Sequence, residues 1–194
     1  MKKKCLIVNG SPKTNGNTYY LINEFIKNYK YTIEVINAFD IENKKGISSC
    51  IDCGWCLKQK FCVLDDDFKK IIQDDYDLIL IASPIYQSNL PGPMLNIVNR
   101  FNFLYNNKQG LGISHKFKNK QAALILVGGG GACKFLQGTC NEDLAIKQSK
   151  YIFNKINAEL KSENIILCLN TNQTQTRDNE EIKLKIKEMA DRLN

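Results

Sequence analysis

The chain of 194 residues contains one histidine, His115, and it sits in the polar stretch Ser114-His115-Lys116, where an imidazole is solvated and takes no assigned role. No apolar run is long enough to cross a bilayer: residues 122–127 stop far short, and the basic start Lys2-Lys3-Lys4 leads into only residues 5–8 before Asn9-Gly10. Neither a membrane span nor a secretory signal is expected. There is no linker, internal repeat or low-complexity segment, so residues 1–194 are expected to form a single domain around one core. The net charge of +7 comes mostly from lysines scattered along the chain. Such scatter reads as solvated surface and not as a nucleic-acid groove, although it would draw in phosphorylated small ligands.

Cysteine, by contrast, is abundant. Of the eight, Cys50, Cys53, Cys56 and Cys62 crowd one segment, which favours metal or cluster ligation in a reducing compartment, the cytoplasm, over structural disulfides. Cys5 and Cys168 fall in apolar runs, where a free thiol behaves as a small hydrophobe, and Cys133 and Cys140 flank a glycine-rich loop as neutral loop residues. The spacing C-x2-C-x2-C-x5-C lets three thiolates wrap one corner of a cubane while the fourth closes the site, as in bacterial cluster-binding runs. Zinc sites separate two cysteine pairs more widely, so the cluster outranks zinc. A redox-active pair, Cys53 with Cys56, and free thiols in a surface loop are the alternatives.

Four continuous apolar runs, residues 5–8, 78–82, 122–127 and 165–169, have the character of strands covered on both faces, and residues 31–36 alternate like a half-exposed edge strand. Helical spacing marks residues 18–29, 66–73, 93–105, 141–160 and 179–193. Strand and helix alternate throughout, which predicts right-handed crossovers and an α/β, three-layer, doubly wound, five-stranded parallel sheet of order 2-1-3-4-5. Ligands of such sheets bind beyond the carboxyl ends of the strands.

Two loops at those ends carry the chemistry. After the first strand, residues 10–18 form a polar loop leading into a helix amino terminus, where backbone N–H groups, the hydroxyls of Ser11 and Thr18 and the Lys13 cation can hold a phosphate. The loop has neither the Walker pattern nor the dinucleotide glycine fingerprint. An ordinary capped turn, with Asn17 or Thr18 merely capping the helix, is the competing account. After the third strand, Pro84, Pro91 and Pro93 stiffen a loop in which Tyr86 can stack on a planar ligand. The glycines at 128–131 allow close backbone approach at the far rim of such a site.

Gly10-Ser11-Pro12-Lys13-Thr14-Asn15-Gly16-Asn17-Thr18 resembles the phosphate loop of the NADPH-dependent FMN reductase superfamily, whose fold is flavodoxin-like, and Ser83-Pro84-Ile85-Tyr86 resembles the loop that lines its isoalloxazine ring. Asn99-Arg100-Phe101 resembles the usual helix ending, with Asn99 in place of aspartate and Leu95 where lysine is frequent. The cysteine-rich loop at 47–64, running on through Asp65-Asp66-Asp67-Phe68, resembles the iron-sulfur flavoprotein branch, whose motif binds a [4Fe-4S] cluster. The resemblance implies FMN held by Ser11, Lys13, Asn15, Asn17 and Thr18 at the phosphate and by Pro84, Ile85, Tyr86, Gln87 and Ser88 at the ring, with Gly129 at the rim. It implies Cys50, Cys53, Cys56 and Cys62 as cluster ligands, NAD(P)H as a possible donor, and a small-molecule or protein redox partner. It also implies a homo-oligomer, dimer or tetramer, in which the flavin of one subunit lies near the cysteine loop of another. The function so implied is an FMN-dependent oxidoreductase passing electrons between flavin and cluster or partner. A cluster-free NAD(P)H-dependent FMN or quinone reductase and a flavodoxin-like electron carrier are the alternatives. The flavin carries the chemistry, so no catalytic side chain is assigned.

Overall fold

The computed structural model describes residues 3–39, 41, 46–59, 61–72, 75–101, 117–130, 134–136, 139, 140 and 142–194. His115 and Cys133 lie outside the described residues. The apolar runs form strands β1 (Lys4–Asn9), β2 (Thr32–Asn37), β3 (Leu78–Pro84) and β4 (Lys120–Val127). A short antiparallel pair, β5 (Lys134–Leu136) and β6 (Thr139–Cys140), precedes the long strand β7 (Ala158–Cys168). The main sheet has five strands in the order β2-β1-β3-β4-β7, every pair parallel, as the alternation of strand and helix predicts. Both edge strands are part-exposed, β2 with Val35 exposed and Ile36 buried, and β7 with its middle residues open to solvent.

The central strands are apolar on both sides because both faces are covered. On one face Cys5, Ile7, Leu80, Ala82, Ala123 and Ile125 meet helices α1 (Asn17–Asn28) and, at the chain's end, α6 (Glu180–Leu193). On the other, Leu6, Val8, Ile79, Ile81, Leu124 and Leu126 meet Met94 and Ile97 of helix α4 (Gly92–Arg100) and Ile152 and Phe153 of helix α5 (Asp143–Lys155). Two shorter helices, α2 (Trp55–Gln59) and α3 (Phe68–Ile71), lie in the segment between β2 and β3, and Phe68 and Ile71 join this second core. Among the described residues, no helix is long and apolar enough to cross a membrane.

The helix expected over 141–160 ends at Lys155. Asn157 adopts a left-handed backbone with φ of 55°, a conformation that stops helices, and its side-chain amide donates to the Phe117 carbonyl at 2.8 Å. Leu160, four residues beyond Ile156, imitates helical spacing but pairs with Ala122 as part of β7. Leu144 is exposed, and the buried face of α5 is formed by Ala145, Ser149, Ile152 and Phe153. The expected helix over 66–73 shrinks to four residues, and that over 93–105 runs from Gly92 to Arg100.

The edge strand is pinned by charge. Tyr76, fully buried, donates from its hydroxyl to Glu34 at 2.7 Å, and Lys70 lies 3.0 Å from the same carboxylate. The Tyr76 hydrogen bond, then Lys70, holds the Glu34 carboxyl below its ordinary value of 4.5. A lowered folded-state pKa contributes stability that is present above the unfolded value and lost as pH falls through the folded one. Tyr76→Phe should therefore flatten the fall in melting temperature between neutral pH and the acid side of 4.5, which thermal melts across that range will show.

Candidate functional site

At the carboxyl ends of the strands, a cavity of about 440 Å³ is lined by three groups of sequence-predicted residues. Ser11, Lys13, Asn15, Asn17 and Thr18 come from the β1–α1 loop, Pro84, Ile85 and Tyr86 from the end of β3, and Gly129 from beyond β4. The β1–α1 loop is built on Asn9, buried at the end of β1: its Oδ1 accepts from the Ser11 N–H at 2.9 Å, and its amide nitrogen donates to Asn37 at 2.9 Å. Ser11 Oγ in turn accepts from the Lys13 N–H at 3.2 Å. Gly10 passes so close to β3 that a Cβ there would lie 2.5 Å from Ser83 Oγ, so glycine lets the loop leave the sheet.

The loop delivers α1 with a bare amino terminus. Gly16 is the N-cap, no side chain caps the helix, and its first turn holds no acidic residue. The first intrahelical bond runs from the Tyr20 N–H to the Gly16 carbonyl, so the amides at the start of the helix have no partner within it. An uncapped helix start beside a cation is a site for an anion. This disposes of the plain capped turn: Asn17 and Thr18 do not cap α1. The Asn17 carboxamide oxygen instead accepts from Thr176, at 3.0 Å from its hydroxyl and 3.2 Å from its amide.

Gln87 and Ser88 do not line the cavity. They form the two-residue turn between Tyr86 and Asn89, which exchange backbone hydrogen bonds of 2.9 and 3.0 Å, and both have positive φ, 49° and 65°. Their part is to fix the hairpin that carries Tyr86, a residue 45% exposed and free to face a planar ligand.

The fourth wall was not read from the sequence. Thr171, Asn172, Gln175 and Arg177, from the segment after β7, complete the lining. That segment is stitched to the glycine loop by Thr171 N–H to Gly128 O and Asn172 N–H to Gly129 O, both 3.1 Å. A Cβ at Gly129 would lie 2.8 Å from Asn172 Oδ1, so its missing side chain is what admits this wall. The run Asn170-Thr171-Asn172-Gln173-Thr174-Gln175, polar and directly after the last strand, was the available signal. Because Asn17 ties this wall to α1, Asn17→Ala should cost about 1–2 kcal/mol of stability in urea unfolding, besides weakening ligand binding. A residue serving only as a ligand contact would leave the unfolding midpoint unchanged.

The cysteine segment is a separate construction. Cys53 is exposed and flanked by two left-handed residues, Asp52 (φ 49°) and Gly54 (φ 66°), which curl the chain around it. Cys50, Cys56 and Cys62 are half-buried, and Cys56 and Cys62 pack on the core under α4. Burial pushes the Cys56 thiol up, and Cys62, Cys50 and Cys53 each push it further, so Cys56 lies within the field of the other three. Among the described residues, no three His, Cys, Asp or Glu side chains converge on one ion position. The donor set, four thiols from one segment, fits an iron-sulfur cluster, a group held by cysteine thiolates.

A strand-end cavity with an uncapped helix start at one end and an exposed aromatic hairpin at the other, on a parallel sheet of this order, defines a flavodoxin-like flavin-binding protein. Residues 3–137 match the family model for NADPH-dependent FMN reductase, and the chain belongs to that family, a flavin-dependent oxidoreductase using FMN. An iron-sulfur flavoprotein of Methanosarcina thermophila is 30% identical over 135 residues, 67% of each chain. One of Clostridioides difficile is 32% identical over 91 residues, covering 44% of this chain and 40% of that one. Several of these curated relatives are matched over about half their length or less. The fold is shared with an FMN-dependent NADH-azoreductase of Bacillus anthracis in complex with FMN (TM-score 0.67, 17% identity, 99% and 100% of the two chains). It is shared also with an NAD(P)H:quinone oxidoreductase of Methanothermobacter marburgensis (TM-score 0.63, 10% identity, 100% and 97%).

Proposed function

We propose that the protein is an iron-sulfur flavoprotein that passes electrons between FMN and a [4Fe-4S] cluster or a redox partner. The observation that carries the reading is the bare amino terminus of α1, opening with Lys13 and Arg177 on the same cavity as Tyr86. In this reading Ser11, Lys13, Asn15, Asn17 and Thr18 hold the phosphate with Arg177. Pro84, Ile85 and Tyr86 hold the ring, Gln87 and Ser88 brace Tyr86, and Gly129 forms the rim. When bound there, FMN supplies hydride acceptance and one-electron release. The chain's own residues bind the phosphate, orient the ring and leave one side of it open to NAD(P)H or an acceptor. Cys50, Cys53, Cys56 and Cys62 would ligate the cluster, which supplies single-electron exchange with the flavin.

The whole chain acts as one FMN-binding domain in the cytoplasm, assembled as a dimer or tetramer. Support for assembly comes from Ile51, Trp55, Phe61 and Val63, large apolar side chains exposed along the cysteine segment. Anaerobic purification followed by iron, sulfide and flavin analysis, then rapid mixing with NADH or NADPH, tests the reading. Flavin with iron and sulfide, bleached directly by one of the nicotinamides, is expected. Flavin alone, bleached in the same way, would replace it with a cluster-free FMN or quinone reductase. Flavin inert to both nicotinamides would leave an electron carrier.

A further inference from the structure

The buried guanidinium of Arg100, at the end of α4, lies against the cysteine segment and has no part in the flavin cavity. One arm, Nη1, pairs with Asp66, itself buried; the other, Nη2, donates to Cys62 Sγ at 3.2 Å. The guanidinium carbon sits 4.3 Å from the centre of the Phe68 ring, which fixes the plane of the fork. Asp66 also accepts from the Ser48 N–H at 2.9 Å and the Phe68 N–H at 3.2 Å, so it ties the beginning of the cysteine segment to its end. Asn96, also on α4, donates to the Ile47 carbonyl at 2.8 Å and anchors the same end of the segment. The third donor, Arg100 Nε, is buried with no partner among the described residues. Burying a cation for the sake of Asp66 alone would need one arm; here a second reaches a sulfur and a third donor beside it is left unsatisfied.

We propose that Arg100 is a positioning residue for the cluster site: it holds Cys62 in place and keeps a hydrogen bond and a positive charge on that ligand, which raises the cluster's reduction potential. Hydrogen bonds to sulfur and local charge are two of the protein's means of setting that potential. Lysine, a point charge without a planar fork, does not serve Asp66 and Cys62 together. The proposal rests on the cluster reading above.

The test compares wild type, Arg100→Lys and the double variant Arg100→Gln/Asp66→Asn, which avoids leaving a buried carboxylate alone. Each is loaded with FMN and reconstituted anaerobically with ferrous iron and sulfide. FMN binding reports the fold, iron and sulfide per chain report loading, and an EPR-monitored redox titration gives the cluster potential. The expected result is unchanged FMN binding in both variants. In the double variant the one-electron equilibrium constant for cluster reduction should fall at least tenfold, about 59 mV towards negative potential. Arg100→Lys should shift in the same direction by less. A double variant that loses FMN has lost its fold, and the comparison then rests on Arg100→Lys. Variants that load the cluster at the wild-type potential overturn the proposal while leaving the cluster reading intact. A wild type that takes up no iron overturns both.

Discussion

Cys56→Ser is expected to reduce reconstituted iron from about four per chain to near zero while leaving FMN affinity as it was. Cys56 lies in the field of the other three: its pKa is raised by burial and then by Cys62, Cys50 and Cys53 in turn, and its side chain packs against the core. A serine hydroxyl there is a poor ligand for iron, and three remaining thiols leave one cluster corner open. None of the four cysteines lines the flavin cavity, so the two cofactors should separate cleanly by mutation. Cys168→Ser is the control. Cys168 is buried in β7, where a hydroxyl should lower the melting temperature without removing iron. Full iron content in Cys56→Ser would show that the segment holds no cluster of four thiolates.

Lys13→Glu combined with Arg177→Glu should weaken FMN binding by more than about a hundredfold, since each charge-assisted contact contributes roughly 1.5–3 kcal/mol. Both side chains are exposed on the cavity lining, so neither change disturbs the core. Reversal places two carboxylates beside a helix amino terminus that has no acidic residue of its own in its first turn. Titration of apoprotein with FMN by flavin fluorescence measures the loss, and raising the salt concentration should narrow the gap between wild type and variant. Equal affinities would place the phosphate elsewhere.

Much of this was legible in the chain. The continuous apolar runs of β1, β3 and β4 belong to strands covered on both faces, which the sequence pattern shows directly. The β1–α1 loop and the tyrosine loop were legible because their conformation is local: a helix start and a proline-stiffened turn are each encoded within a few residues. The wall formed by Thr171, Asn172, Gln175 and Arg177 was not, because it joins the site through tertiary contacts, among them those of its segment to Asn17, Gly128 and Gly129. The end of α5 misled for a different reason. Ile156 and Leu160 keep helical spacing across a left-handed Asn157, and periodicity alone does not register a backbone reversal. Arg100 had a visible neighbour in Asn99, the departure from the family's aspartate, yet Asn99 proves exposed while Arg100 carries the buried contacts.

Amide NMR of the apoprotein titrated with FMN and, separately, with riboflavin tests the central claim most directly. The account predicts that FMN shifts the backbone N–H signals of Asn17, Thr18 and Tyr19, while riboflavin, which has no phosphate, leaves them in place and perturbs only the Tyr86 hairpin. Identical shifts at the start of α1 with both ligands, or none with either, would contradict it.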